Sequence, residues 1–169
     1  MKYNPDIHHR DSIRLREFDY SQSGAYFITI CTKERELWLD VPDIKKIVEE
    51  RWIEIPDHFK NAALDSWVVM PNHIHGIISL MSRVGVQHVE PLQNRYQRII
   101  PKSIGSIVRS YKSAVTNQCR KNGFRSFQWQ RNYYERVIRS EDELNRIRQY
   151  IQNNPLNWNT DEENPNRED

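Results

Sequence analysis

Two histidines, His73 and His75, lie two residues apart in an apolar segment, WVVMPNHIHGIISL. Side chains alternate between the two faces of a β-strand, so both imidazoles would point to one face, with Cα atoms roughly 6.6 Å apart. Ile74 would point to the other face, toward a core. The pair could hold one metal ion or take part in catalysis. The alternative is two histidines that are hydrogen-bonded or exposed and have no chemical role.

A second polar pair, Tyr150 and Asn154, lies near the end of the chain. Residues four apart on a helix share one face, about one turn from each other. A phenol with a pKa of about 10 is a poor nucleophile at neutral pH, but it can attack a phosphodiester that a divalent ion polarises. Two imidazoles and the Asn154 amide oxygen would hold Mg²⁺ or Mn²⁺ and leave positions for phosphate oxygens. Alternatively, Tyr150 is an aromatic side chain at the rim of a helix–sheet contact.

Strands and helices of predictable type must position these side chains. β-Branched and aromatic residues predict strands over residues 25–32, 63–69 and 73–80, with a fourth strand region at 127–129 and 134–138. Apolar spacing predicts two helices, one opening at residues 40–43 and closed by Pro56, the other over residues 102–119 and stopped by Gly123.

A third helix is predicted from a capping box in which Ser140 is followed three residues later by Glu143. This helix carries Tyr150 and ends at Asn154-Pro155. The order strand, helix, strand, strand, helix, strand predicts an α+β fold, the ferredoxin-like βαββαβ antiparallel sheet. The last helix is then an addition that needs a functional reason.

The bulk composition predicts one soluble domain. The chain has 169 residues, of which 37% are hydrophobic and 28% charged, and its mean hydropathy is −0.86. We expect a single domain over residues 1–160, with an N-terminal arm over residues 1–22 and an acidic, disordered tail over residues 161–169. No apolar run approaches the roughly 18 residues that span a bilayer, and the start lacks a signal-peptide core. We therefore expect no membrane association and a cytoplasmic, nucleoid-associated protein.

Basic residues are concentrated in one part of the chain. Residues 95–148 carry thirteen Lys or Arg and four Asp or Glu, although the net charge of the whole chain is only +2. Charge runs of this kind most often form solvated helix faces; the alternative is a polyanion partner, nucleic acid first, because Lys and Arg that replace counterions on phosphates supply most non-specific affinity. The candidate phosphate contacts are Lys102, Arg109 and Lys112 on the second helix and Arg131 after it.

Four segments in the same order resemble the single-tyrosine HUH transposases, most closely the branch of REP-associated tyrosine transposases. They are SIRLREFDYSQSGAYFITICT, WVVMPNHIHGII, SIGSIVRSYKSAVT and FQWQRNYYERVIRSEDELNRIRQYIQNNPLNW. The resemblance implies a ferredoxin-like domain that uses a divalent metal to cut single-stranded DNA next to a hairpin. It also implies a 5′-phosphotyrosine intermediate, with His73 and His75 as metal ligands, Tyr150 as nucleophile and Asn154 completing the metal site.

The function expected is thus that of a metal-dependent single-strand DNA endonuclease and strand-transferase, using Mg²⁺ or Mn²⁺, whose partner is single-stranded DNA with hairpin or palindromic repeats. Two alternatives stay open: a DNA or RNA hairpin-binding module without cleavage activity, and a metal-dependent hydrolase that uses activated water. Tyr133 and Tyr134 are rival nucleophiles, although core packing or base stacking suits them better. The assembly could be a monomer or a homodimer.

Overall fold

The computed structural model describes residues 22–81 and 102–167, so nearly all of the predicted N-terminal arm lies outside the described residues. The strands are β1 Gly24–Cys31, β2 Ala62–Val69, β3 His73–Leu80 and β4 Tyr134–Ile138. The helices are α1 Pro42–Ile53, α2 Ile55–His58, α3 Ile104–Lys121 and α4 Glu141–Asn153. Short 3₁₀ turns follow β1, at Lys33–Arg35 and Trp38–Asp40, and a longer one, Asn154–Thr160, follows α4.

The four strands form one antiparallel sheet in the order β2-β3-β1-β4. This is the strand order of a ferredoxin-like βαββαβ unit, and the predicted α+β fold is confirmed. Because β1 lies between β3 and β4, Thr29 faces His75 on one side and Tyr134 on the other. These three residues form one row across the sheet.

One face of the sheet is covered by α1 and α3. Alternate residues of β1, Tyr26, Ile28 and Ile30, are fully buried there with the apolar stripes of both helices. The buried Tyr111 hydroxyl on α3 donates to the carbonyl of Val48 on α1, at 3.1 Å, and so joins the two helices. Ile74 belongs to this core, as the alternation of the strand predicts.

Gly76 is required where α1 approaches β3. A Cβ atom built on Gly76 would lie 2.3 Å from Cζ2 of Trp52, which is itself almost completely buried. Real Cβ atoms do not approach another carbon so closely. The absence of a side chain at Gly76 therefore lets the Trp52 indole pack directly on the strand that carries the histidines.

The opposite face of the sheet is covered in part by α4. The apolar cluster between this face and α4 consists of buried residues Ile77, Ile138 and Ile151, with partly buried Phe27, Val68, Leu144 and Ile147 packed against them. The predicted capping box is present, since the Glu143 N–H donates to the Ser140 hydroxyl at 3.1 Å. The Glu143 carboxylate in turn accepts from the N–H of Arg139 at 2.9 Å. Because Ile77 lies on the same face of β3 as His73 and His75, its packing against α4 shows that the helix covers the face that carries the two histidines.

The structure differs from three local predictions. Pro56 does not close α1 but lies in the first turn of the short α2, where its missing N–H is not needed. Residues 127–129 do not form part of a strand; within them, Trp129 forms an isolated antiparallel bridge with Thr32. The predicted disordered tail has defined contacts over residues 161–167, with Asn164 buried.

None of the helices in residues 22–81 and 102–167 has both the length and the apolar character to cross a bilayer.

Candidate metal and nucleophile site

The two histidines lie side by side on the sheet face that α4 covers. Their Nε2 atoms are 3.0 Å apart, and the side chains are 0% and 4% exposed. Their ring centroids are 4.4 Å apart. The predicted convergence of the two imidazoles is therefore present in the fold.

A separate hydrogen bond fixes each ring through its Nδ1 atom. Nδ1 of His73 lies 2.8 Å from Oδ1 of Asn72, and Nδ1 of His75 lies 2.8 Å from the Thr29 hydroxyl. The Asn72 amide nitrogen donates elsewhere, so Oδ1 accepts and His73 carries its proton on Nδ1. In that tautomer the Nε2 atom of His73 carries a free lone pair. The Nε2 atoms of the two rings face each other, so this lone pair points into the space between the histidines.

Burial keeps both imidazoles neutral. Removal from water, with Arg35 nearby, lowers the pKa of His73 to about 3. Burial, reinforced by His73, lowers the pKa of His75 to about 3, against the opposite effect of Asp161. A neutral imidazole is the form that binds a metal ion.

Tyr150 on α4 meets the histidine pair. Its hydroxyl oxygen lies 3.3 Å from Nε2 of His75, and its ring packs edge-on against His75 and Phe27, with centroids 5.3 and 6.0 Å away. The side chain is nevertheless 48% exposed, so a substrate can reach the phenol. Burial, then the charges of Asp161 and Glu162, raise the pKa of Tyr150. The phenol therefore stays protonated until a substrate or a cation changes its surroundings.

Asn154, the last residue of the predicted set, lies buried at the start of the 3₁₀ turn after α4. Its amide nitrogen donates to Oδ2 of Asp161 at 3.0 Å. Its amide oxygen is buried and has no hydrogen-bond partner among the described residues. An unpaired buried acceptor is costly, so this oxygen is well suited to a cation.

Sequence reasoning missed Asp161, which lies in the segment predicted to be a disordered tail. One ligand atom each from His73, His75 and Asp161 lie within 4.8 Å of one another. The turn Asn154–Thr160 reverses the chain after α4 and returns Asp161 to the histidines. The Asn154-Pro155 dipeptide indicates only the end of a helix, and no other sequence signal predicts this return.

Asn72 and Arg35 hold the returning segment in place. The Asn72 amide nitrogen donates to the carbonyls of Glu163 and Arg35, at 2.7 and 3.1 Å. The Arg35 side chain donates to the carbonyl of Glu162 at 2.9 Å and pairs with the Glu163 carboxylate at 2.9 Å. Glu34 and Arg35 both have left-handed backbones, with φ values of 54° and 58°. Strained backbone of this kind is kept where the surrounding contacts require it.

These groups fit a divalent metal ion. Two neutral imidazole nitrogens and one carboxylate surround the same space, and the side chain of Asn154, which is bonded to that carboxylate, keeps an unpaired amide oxygen. Mg²⁺ and Mn²⁺ favour carboxylate and amide oxygens, and imidazole is a common ligand of transition metals. The arrangement could therefore hold such an ion beside the Tyr150 phenol.

The predicted phosphate contacts do not gather at this site. Lys102 and Arg109 belong to the α3 region, which packs on the opposite face of the sheet, and both are exposed. Lys112 donates to the carbonyls of Gln130 and Arg131, at 2.6 and 3.1 Å, so its ammonium group supports local structure. Burial lowers the pKa of Lys112 to about 8. Arg131 is exposed.

Comparison with known proteins agrees with the fold. The family described as IS200-like transposases matches residues 20–154 of the chain. An uncharacterised protein of Haemophilus influenzae is 43% identical over 173 residues, covering 95% of this chain and 96% of that protein. A REP-associated tyrosine transposase bound to a REP hairpin has a similar structure, with a TM-score of 0.59 and 22% identity, covering 82% of this chain and 70% of that one. At this identity the structural likeness supports the fold.

Proposed function

The chain belongs to the IS200-like transposase family, and we propose that it is a metal-dependent single-strand DNA endonuclease and strand-transferase. The DNA would be cut next to hairpin or palindromic repeats through a 5′-phosphotyrosine intermediate. One observation carries the proposal: the half-exposed Tyr150 phenol lies 3.3 Å from Nε2 of His75, at the edge of a buried pair of imidazoles. A tyrosine that only packs at a helix rim would not need such neighbours.

His73, His75, Asp161 and the Asn154 amide oxygen would hold Mg²⁺ or Mn²⁺. When bound, the ion would polarise the scissile phosphate and compensate the negative charge near the phenol. The imidazoles are fixed for this role by Asn72 and Thr29. The side chains of Asn154 and Asp161 are joined to each other, so the two oxygen donors are positioned together.

Tyr150 would do the covalent chemistry. Its phenolic oxygen forms a bond to phosphorus, and the bond from phosphorus to the 3′ oxygen of the neighbouring nucleotide breaks. The phenolic proton is released, and the leaving 3′ oxygen gains a proton to become a hydroxyl. Attack by a different 3′ hydroxyl on the phosphotyrosine reverses these steps and joins two strands. No oxidant or nucleotide cofactor is needed, because one phosphodiester is exchanged for another.

The partner proposed is a single strand that folds into a hairpin. A protein of similar structure is bound to a REP hairpin, and the basic segment of this chain suits a polyanion. A monomer and a homodimer are the two assemblies to test. We place the protein in the cytoplasm, associated with the nucleoid, as part of the same proposal.

The test is adduct formation. The protein is incubated with Mn²⁺ and labelled single-stranded DNA that carries repeat hairpins from its own genome, and the products are separated under denaturing conditions. We expect a covalent protein–DNA adduct that peptide mapping assigns to Tyr150. The adduct should disappear in Tyr150→Phe and persist in Tyr133→Phe, because the Tyr133 hydroxyl is bonded to Glu135 and lies outside the site.

Each alternative gives a different result. Cleavage of the DNA without any adduct, unaffected by Tyr150→Phe, would identify a hydrolase that uses activated water. Hairpin binding without cleavage on every substrate would identify a binding module. An adduct that forms in Tyr150→Phe would show that another side chain is the nucleophile.

A further inference from the structure

A strip of the histidine-bearing sheet face, lined by Phe27 and Tyr134, lies between Tyr150 of α4 and the edge of the sheet at β4. The helix α4 also contacts β2, where Arg148 reaches Asp65. Phe27 packs against the apolar side chains under α4, and both Phe27 and Tyr134 are only partly buried. Their strands are neighbours, since Thr29 of β1 is opposite Tyr134 of β4. The strip therefore runs from the nucleophile to the edge of the sheet.

Aromatic rings form the floor of this strip. Phe27 stacks on His75 with centroids 5.4 Å apart and planes inclined by 28°. Tyr134 meets Phe27 edge-on, with centroids 6.1 Å apart. The Tyr134 hydroxyl has no hydrogen-bond partner within residues 22–81 and 102–167, so no polar contact in those ranges explains a tyrosine at this place. A partly exposed ring beside a nucleophile offers a surface on which a base can stack.

The charge around Tyr134 suits a nucleic acid. Arg131, Arg136 and Arg139 are all exposed, and Arg136 remains 59% exposed even though it pairs with Glu143. Within residues 131–139, the acidic side chain is Glu135, which is buried and points to the opposite face of the sheet. The first turn of α4 adds Glu141, Asp142 and Glu143 next to this edge, and Glu143 already pairs with Arg136. A phosphate backbone that crosses β4 would therefore meet its positive charge mainly at Arg131 and Arg139.

We propose that Tyr134, supported by Phe27, is a stacking site for an unpaired nucleobase next to the scissile phosphate, and that the strand leaves across the β4 edge. The inference rests on the proposed function and adds the path of the single strand over the protein. Stacking requires no hydrogen bonds to base edges, so this site would take any base. It would place the DNA backbone and leave sequence recognition to other residues.

Photo-crosslinking tests the site without requiring cleavage. The Tyr150→Phe protein is mixed with an oligothymidylate of about twelve nucleotides that carries 5-iodouracil at one central position. After irradiation with ultraviolet light, peptide mapping identifies the cross-linked residue, because this base reacts with aromatic rings on which it stacks. We expect the cross-link at Tyr134. In the same background, Tyr134→Ala should remove it and weaken binding by about five- to 150-fold.

Tyr134→Phe is the matched control, because it keeps the ring and loses only the hydroxyl. It should bind the oligonucleotide as tightly as the Tyr150→Phe parent, and thermal unfolding should show that Tyr134→Ala remains folded. A cross-link that maps to α3, equal affinity of Tyr134→Ala, or no binding of the probe would each overturn the stacking site. Since the readout is independent of the adduct, its failure is distinct from failure of the proposed cleavage.

Discussion

Arg148 on α4 and Asp65 on β2 form a bidentate ion pair: Nε donates to Oδ1 at 3.0 Å, and Nη2 donates to Oδ2 at 2.6 Å. Asp65 lies at an irregularity of β2, between Leu64 and Trp67, where the register with β3 shifts. Arg148 lies two residues before Tyr150 on the same helix. A two-point contact of this kind fixes direction as well as distance, so the pair helps to set where α4 presents its phenol.

Reversal of this pair tests its positioning role. We expect Asp65→Arg and Arg148→Asp each to slow adduct formation by roughly tenfold to 100-fold, since small misplacement of a reacting group has effects of that size. The double variant, which restores opposite charges, should recover part of the rate. The rate is measured at saturating hairpin DNA, so that weaker binding does not contribute.

An exposed pair on α1 provides the control for charge reversal. Lys46 and Glu50 are separated by 3.8 Å on a surface away from the site, and Lys46→Glu should leave the rate unchanged. Equal slowing of both Asp65 and Arg148 single variants with no recovery in the double variant would contradict a pairwise role. Single variants that react like the parent would contradict any role.

The same pair predicts a dependence of stability on pH. The hydrogen bond from Arg148 holds the pKa of Asp65 below its usual value of 3.8. Because the pKa of Asp65 is lower in the folded than in the unfolded protein, its ionised carboxylate stabilises the fold at pH values above the unfolded-state pKa. This contribution is lost as the pH falls through the folded-state pKa, where the carboxylate becomes protonated. The free energy of unfolding of wild type should therefore exceed that of Asp65→Asn at pH 6, and the difference should shrink below pH 4.

Urea unfolding followed by circular dichroism measures that difference at each pH. Asp57→Asn is the control, because its ion pair with Lys60, at 3.8 Å, is largely exposed to solvent. Its effect should be small at every pH. A difference between wild type and Asp65→Asn that stays constant down to pH 2 would contradict the assignment.

Asp161 is predicted to contribute to metal affinity. Asp161→Asn removes the negative charge from the cluster with His73 and His75, and we expect Mn²⁺ affinity to fall by about tenfold or more. Isothermal titration calorimetry of the metal-free protein measures the affinity without DNA. Glu162→Gln is the neighbouring control and should bind Mn²⁺ as wild type does, since its side chain is exposed.

Gly76→Ala is predicted to destabilise the fold by about 1–3 kcal/mol through overpacking. The added methyl group would meet the buried Trp52 ring, and that ring has little room to move. The same substitution should be less harmful in a Trp52→Phe background, where the neighbouring ring is smaller. Denaturant unfolding of the four proteins measures this coupling, and equal effects in both backgrounds would argue against the contact.

The parts of the site that sequence analysis predicted depend on local geometry. Strand alternation places His73 and His75 on one face, and helical spacing places Tyr150 and Asn154 about one turn apart. The Ser140 cap follows from residues three positions apart. Each of these relationships is fixed within a single element, so it does not require knowledge of the tertiary fold.

The parts that were missed depend on contacts between elements. Thr29 reaches His75 only through the pairing of β1 with β3, and Asn72 is bonded to a segment 91 residues later in the chain. An amphipathic pattern shows which side of α3 is buried, but not which face of the sheet it covers. The sequence therefore does not show that the helix next to Lys102 and Arg109 packs on the sheet face opposite the two histidines; the role of these two residues as phosphate contacts stays a prediction.

The row formed by His75, Thr29 and Tyr134 sets a distance across the sheet. The three residues lie opposite one another on adjacent strands, so the backbones of β3 and β4 are about 10 Å apart. That span is a property of the hydrogen-bonded ladder, which loop insertions and surface substitutions leave intact. The distance from His75 to the edge of the sheet is therefore fixed by strand pairing, and the connecting segments can vary in length and sequence without changing it.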